Sequence, residues 1–246
     1  MELRNGIAAF DPVTLRIAAE QLPMVQLPEV LDAEMPEHLV ELAEVTVTPF
    51  DVAAKIDTGQ LSWGSTATLE PFTTYAGGQA SGVQLSGARV AELADALVAR
   101  VTMKLEDRKL RAWFAELPAE VAALDAFELV ADVRRWMKDF STEDKKVDTL
   151  IVPQQDVDYE AFVKGLDRST RQKIRAVIDE KGARVIAETI IAGSLPSWGA
   201  PKKVVLGERG PVLFWFSEGN ENKALPFAVV YTEAGAWVGS SQGNLE

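Results

Sequence analysis

Val147–Gly193 reads VDTLIVPQQDVDYEAFVKGLDRSTRQKIRAVIDEKGARVIAETIIAG, and how this stretch is parsed decides the fold. Thr149–Val152 is a short apolar run closed by Pro153, which suits a buried strand better than a helix. Asp167 or Ser169 can cap a helix in which Ile174, Val177 and Ile178 recur at i, i+3 and i+4. Gly182 then stands where helices stop, on the side that tolerates positive φ. Arg184–Ile191 follows as a run rich in β-branched residues, with Val185, Thr189, Ile190 and Ile191. Two strands joined through a helix are normally parallel neighbours with a right-handed crossover, so the stretch predicts one βαβ unit. Arg168, Arg171, Lys173, Arg175, Lys181 and Arg184 read as the solvated face of its helix.

Downstream, Pro211–Ser217, Pro226–Thr232 and Ala236–Ser241 are three short strand-like runs separated by turn-like EGNENK and EAG, an antiparallel meander. Alternation puts Phe214 and Phe216 on one face and Trp215 on the other. Upstream, three helices are expected over 81–146. Ser86 caps the first, with Val90, Leu93, Leu97, Val98 and Val101 as its stripe. Leu110–Leu117 forms the second. Asp125 and Glu128 open the third as a capping box, with Leu129, Val130, Val133, Trp136, Met137 and Phe140 on one face. Before that, Pro12 opens a short helix, Pro23, Pro28 and Pro36 impose an extended path, and Val40–Ile56 and Ser65–Thr74 read as β structure. Gly77, Gly78, Ser81 and Gly82 suggest a boundary. The expected class is α+β: a mixed sheet with one βαβ crossover and a C-terminal antiparallel meander, covered by a central helical segment. Its divisions are an acidic β-rich 1–80, a helical 81–146, and 147–246 with the crossover and meander, the last able to form one compact domain with the first.

The bulk properties narrow the chemistry. The 246 residues are 47% hydrophobic and 25% charged, ordinary for a globular protein. No apolar run nears the ~20 residues of a membrane span, and the N-terminus carries no secretory pattern, so a cytoplasmic protein is expected. There is no cysteine, which removes disulfides, thiolate metal sites and a cysteine nucleophile. The single histidine, His38, reads as an exposed residue without a special role. Residues 1–80 hold 12 acidic and 3 basic side chains, a charge of −9, against −1 for 81–146 and −2 for 147–246. That field repels nucleic-acid phosphate and anionic membranes and favours a basic partner protein, or a basic face of a second copy.

Val52–Gly64 echoes Ile186–Gly199: each ends a β-like run in a small-residue turn bearing a tryptophan, Trp63 or Trp198. Two such loops could present indoles to a partner, since tryptophan is enriched at binding hot spots. After the first strand of the expected crossover, Gln154 and Gln155 stand where α/β sheets bind ligands, and Asp156 and Asp158 could ligate a divalent cation or simply cap the next helix. No cofactor is expected.

Lys55-Ile-Asp57-Thr58-Gly59 contains an Asp-Thr-Gly tripeptide and resembles the strand and loop that carry the catalytic aspartate of retropepsins. The resemblance covers under ten residues and departs at Gln60, where the family has a small residue. It implies a hydrolase whose two carboxylates share a proton, which one tripeptide per chain supplies only as a homodimer through Asp57. The first expectation is therefore a non-catalytic binding or assembly protein using its acidic third and tryptophan loops; the alternative is that aspartate-dependent hydrolase.

Overall fold

The computed structural model of the chain describes residues 2–22, 25–48, 51–93, 95–105, 108–118, 120, 124–164, 166, 170–188 and 203–239. In chain order the elements are β1 (Ile7–Phe10), α1 (Pro12–Glu20), α2 (Glu37–Glu41), β2 (Ala43–Val47), β3 (Val52–Trp63), β4 (Ala67–Thr73), β5 (Gln79–Leu85), β6 (Arg89–Leu93), β7 (Ala96–Leu105) and β8 (Arg108–Glu116). Then follow α3 (Ala126–Glu143), β9 (Lys145–Lys146), β10 (Thr149–Pro153), β11 (Gln155–Val163), β12 (Thr170–Asp179), β13 (Gly182–Glu188), β14 (Lys203–Val205), β15 (Val212–Ser217) and β16 (Phe227–Thr232). The strands build a 12-stranded sheet with the path β1-β16-β15-β8-β7-β3-β13-β12-β11, flanked by β2, β6 and β9, and a 4-stranded sheet β14-β10-β5-β4.

This overturns the α+β expectation. The chain is mostly β: a strand stands at 170–179 where the crossover helix was expected, and of the three helices expected over 81–146 only the third forms among the described residues. Residues 170–179 form β12, not a helix. Their true period is two: Gln172, Ile174, Ala176 and Ile178 are buried while Arg171, Lys173 and Arg175 face out. The spacing of Ile174, Val177 and Ile178 mimicked a helical stripe, but the strict alternation of charge outweighs it. Gly182 starts β13 rather than ending a helix. Asp179 Oδ1 accepts the N–H groups of Lys181 at 2.8 Å and Gly182 at 3.1 Å, making an Asx turn into β13. A Cβ on Gly182 would meet the Leu61 carbonyl oxygen at 1.7 Å, so the close approach of β13 to β3 requires glycine. β10 is not a parallel neighbour of β13; it belongs to the smaller sheet, parallel to β14 and antiparallel to β5.

Residues 89–93, 96–105 and 108–116 are β6, β7 and β8, and most of their apolar side chains are buried on both faces, which erases the period-2 signature and leaves a run that resembles a helix. Gly77, at φ +80°, turns the β4–β5 hairpin: its N–H donates to Thr74 O at 2.9 Å. Of the third strand expected over Ala236–Ser241, the described residues 236–239 form no strand. Ala234–Ala236 is a 3₁₀ turn, after which Trp237 makes a single antiparallel bridge to Gln155.

The third expected helix is present as α3. Asp125 caps it, accepting from the N–H groups of Phe127 and Glu128 at 2.9 and 3.2 Å, and the whole stripe from Leu129 to Phe140 is buried. That stripe lies on indoles from the sheet. Trp113 of β8 and Trp215 of β15 are cross-strand partners stacked at 5.8 Å, Phe140 stands edge-on to Trp113 at 5.0 Å, and Trp136 meets Trp215 at 6.1 Å. On the opposite face Phe114 and Phe214 are paired, so Phe214 and Trp215 do point to opposite sides. α1 has Pro12 in its first turn and Asp11 as cap, and it packs against β3 and β16. Trp237 joins the two sheets: its Nε1 donates to Thr232 Oγ1 of β16 at 2.9 Å, and its ring lies 5.9 Å from Phe72 of β4. No helix among the described residues is long and apolar enough to cross a membrane.

Candidate functional site

β2 and the first half of β3 form a hairpin in which Ala43 faces Ile56, Val45 faces Ala54 and Val47 faces Val52. Directly opposed residues share a face, so these six side chains make one apolar surface. At its base it is core: Ile56 is 0% and Ala54 4% exposed. Towards the tip it leaves the body, and Val45 and Val47 are 42% and 60% exposed. Fully burying an exposed side chain of this size is worth about 1.5–3 kcal/mol, and these two, already partly covered, stand to gain roughly half of that each.

The same strand is an open edge. Among the described residues β2 pairs with β3 alone. The Thr48 N–H donates to Asp51 O at 2.8 Å, which turns Thr48 inward. Backbone groups of successive strand residues point to opposite sides, so Thr46 and Glu44 also face β3 while Val47, Val45 and Ala43 direct N–H and C=O outward. Proteins normally blunt such an edge with proline, lysine or a covering segment. Two other edges here, those of β4 and β11, are blunted. β4 carries Pro71, and its Glu70 is paired with Lys203 at 3.0 Å. The edge of β11 is crossed by the N-terminal segment, where the Tyr159 hydroxyl donates to Glu2 O at 2.6 Å. β2 has neither device; its one charge, Glu44, lies on the other face near Lys55 at 3.7 Å.

The hairpin rises from a stapled base. The Glu34 N–H donates to Lys223 O at 2.9 Å, the Leu225 N–H to Glu34 O at 2.8 Å, and Lys223 pairs with the Glu34 carboxylate at 3.0 Å. His38 completes it: its backbone N–H donates to Glu218 Oε2 at 3.0 Å and its Nδ1 lies against Glu218 Oε1. Glu218 is only 9% exposed. His38 is thus half-buried and partnered, which corrects the expectation of an idle exposed residue. A cavity of about 690 Å³ opens here, lined by Met35, Pro36, His38, Lys109, Glu218 and Asn220 among others. No serine, threonine or tyrosine side chain is among the described residues that line the cavity. Nothing local marked this pair in the sequence, because its partners are 180 residues apart.

The residues singled out from the sequence are not brought together. Asp57 lies within β3, where the Arg184 guanidinium grips its carboxylate at 2.7 and 3.3 Å and the Gly59 N–H donates to it at 2.9 Å. Arg184 holds the Asp57 carboxyl below the usual carboxylate range, against the shift a proton-sharing dyad needs. Trp63 is turned inward, its Nε1 donating to Asp179 O at 2.7 Å, and so packs the corner between β3 and the β12–β13 turn. Trp198 lies outside the described residues, as does most of the second copy of the echo. Gln154 bonds through its backbone, donating to Ser81 O at 2.8 Å and accepting from the Val238 N–H at 3.1 Å. The Gln155 side chain is buried, with neither amide atom meeting a protein partner. Asp156 and Asp158 are exposed on the outer face of β11, Asp158 4.0 Å from Lys173, and neither caps a helix. No group of three acidic or histidine side chains among the described residues is arranged to hold a metal ion.

No protein-family model matches this chain, and no curated protein matches it. Solved structures do. A cleaved serpin 42Da has a TM-score of 0.47 at 13% identity, over 74% of this chain and 56% of that one. A loop-inserted, cleaved ovalbumin mutant has a TM-score of 0.47 at 12% identity, over 73% and 54%. The native state of tengpin, a thermophilic serpin, has a TM-score of 0.38 at 13% identity, over 76% and 57%. The chain spans a little over half the length of the structures it matches.

Proposed function

We propose that this chain is a non-catalytic docking protein, in keeping with the cytoplasmic setting expected from its sequence, and that it binds another protein by adding a strand to β2. The supporting observation is the coincidence on one five-residue strand of an edge that pairs with no further strand among the described residues and an apolar face that runs out of the core through Val45 and Val47. In strand addition main-chain hydrogen bonds supply affinity and alternate side chains supply selectivity. The stapled base presents the hairpin in a fixed pose, so little ordering is needed on binding. The −9 charge of residues 1–80 favours strands with basic residues. This moves the binding surface from the tryptophan loops to the hairpin, because the Trp63 indole is turned inward.

The test is titration with an extended peptide of alternating lysine and valine. Wild type should bind, more weakly as salt rises. Val45→Pro should weaken binding at least about tenfold, because it deletes an outward N–H while sparing the ladder to β3. Failure of wild type to bind this peptide would sink the proposal.

A further inference from the structure

We infer that the strand β2 accepts is the β2 of a second copy, antiparallel about a two-fold axis through Val45. The inference rests on the strand-addition reading and goes on to name the partner. Centring on Val45 sets it opposite the partner's Val45, Ala43 opposite the partner's Val47, and Val47 opposite the partner's Ala43. These three residues are the ones whose backbone groups point outward, so in this register every outward donor of β2 meets an outward acceptor. A register slip of one residue sets inward-facing groups against outward ones and loses the ladder, and moving the axis onto Glu44 or Thr46 keeps only two of the three outward pairs. The side chains agree with the backbone. Ala43, Val45 and Val47 share a face, so the two strands join their apolar strips into one ladder that covers the 42% and 60% exposed valines. On the other face Glu44 lies opposite the partner's Thr46, so no like charges are directly opposed. Strand β3 of each copy then flanks a continuous four-stranded β3-β2-β2-β3 array, an isologous contact that closes on itself.

Two features set the character of the dimer. A contact of one five-residue strand falls well short of the ~1,600 Å² of a standard interface, so the dimer is weak and concentration-dependent. Each copy carries −12, so long-range repulsion opposes association and added salt strengthens it. A basic partner has the opposite salt dependence.

Sedimentation velocity on the full chain, from about 5 to about 500 μM, tests this by mass action. A dimer fraction that rises with concentration and again between about 0.05 and about 0.5 M NaCl is the expected result. Val45→Pro should raise the dissociation constant at least about tenfold. Val45→Lys should do the same while keeping the N–H, because it opposes like charges across the axis; it serves if the proline variant is poorly folded. A monomer throughout, or a dimer that both variants leave unchanged, overturns the self-pairing. If that monomer still takes the lysine–valine peptide, strand addition by a different protein stands; if it does not, both readings fall.

Discussion

Glu116 is a carboxylate in the wrong solvent. It is 4% exposed, and it is kept in place by two backbone donors, Gly207 N–H at 2.8 Å and Arg209 N–H at 3.0 Å. Burial pushes its carboxyl above the ordinary value of 4.5, and the two donors only partly offset this. A raised carboxyl contributes stability that is complete below the unfolded value and is lost as pH rises through the folded one. Glu116→Gln keeps an acceptor oxygen for both donors and carries no charge. Its melting temperature should therefore equal or exceed wild type at pH 7, with the advantage shrinking as the pH is lowered through the carboxylate range. Glu116→Ala leaves both donors unsatisfied and should cost about 1–3 kcal/mol at any pH. Differential scanning calorimetry of the three proteins across pH separates charge from hydrogen bonding. Asp57 has the reverse sign: Arg184 lowers its carboxyl, so its contribution is present above the ordinary value of 3.8 and is lost on acidification. The Asp125 cap was legible from the sequence because a cap acts within three residues. The His38–Glu218 pair was not, because only folding brings its members together.

At the scale of elements, the dispute was between periods, and β12 tests it. A helix over 170–179 would bury Ile174 and Val177 together on one stripe, whereas the strand buries Ile174 fully and leaves Val177 half-exposed. Ile174→Ala should cost about 2–5 kcal/mol, as core truncations do. Val177→Ala should cost less than half of that, and Lys173→Thr on the outward face should stay within about 0.5 kcal/mol. Equal losses at 174 and 177 in chemical denaturation would contradict the strand. α3 was readable because it is amphipathic, with its stripe on buried indoles and its opposite face in solvent. β6, β7 and β8 were not, since burial on both faces removes the alternation that identifies a strand. The β2 strand was legible as strand from Val45, Thr46, Val47 and Thr48. Its edge position was not, because that depends on which other strands take the remaining places on β3.

For the whole molecule, the two sheets share one hydrophobic core, and Trp237 is a contact between them. Its indole donates to Thr232 at 2.9 Å and lies 5.9 Å from the rings of both Phe72 and Tyr75. The Gly207 position leaves room for it: a Cβ there would stand 2.7 Å from the indole. Trp237→Ala should cost about 3–5 kcal/mol and lower the melting temperature in a single transition. Two resolved transitions would mean that the smaller sheet melts by itself, and that the core is less cooperative than its packing implies.

The amino-acid sequence by itself determined the uneven charge, the lack of thiol chemistry, the capped and amphipathic α3, and the β character of Ala43–Val47, Val52–Ile56, Thr149–Val152, Val212–Ser217 and Phe227–Thr232. Each depends on composition or on side chains within a turn or two of one another. Only the tertiary structure decided that 89–93, 96–105, 108–116 and 170–179 are strands, that Asp57 is tied to Arg184, that the single histidine rests on a buried glutamate, and that β2 has β3 as its single strand partner among the described residues. The physical reason is common to all four. Sheet neighbours and buried partners are drawn from distant parts of the chain, so which face is wet, which carboxylate is paired and which edge is empty depend on contacts that no local window of sequence contains.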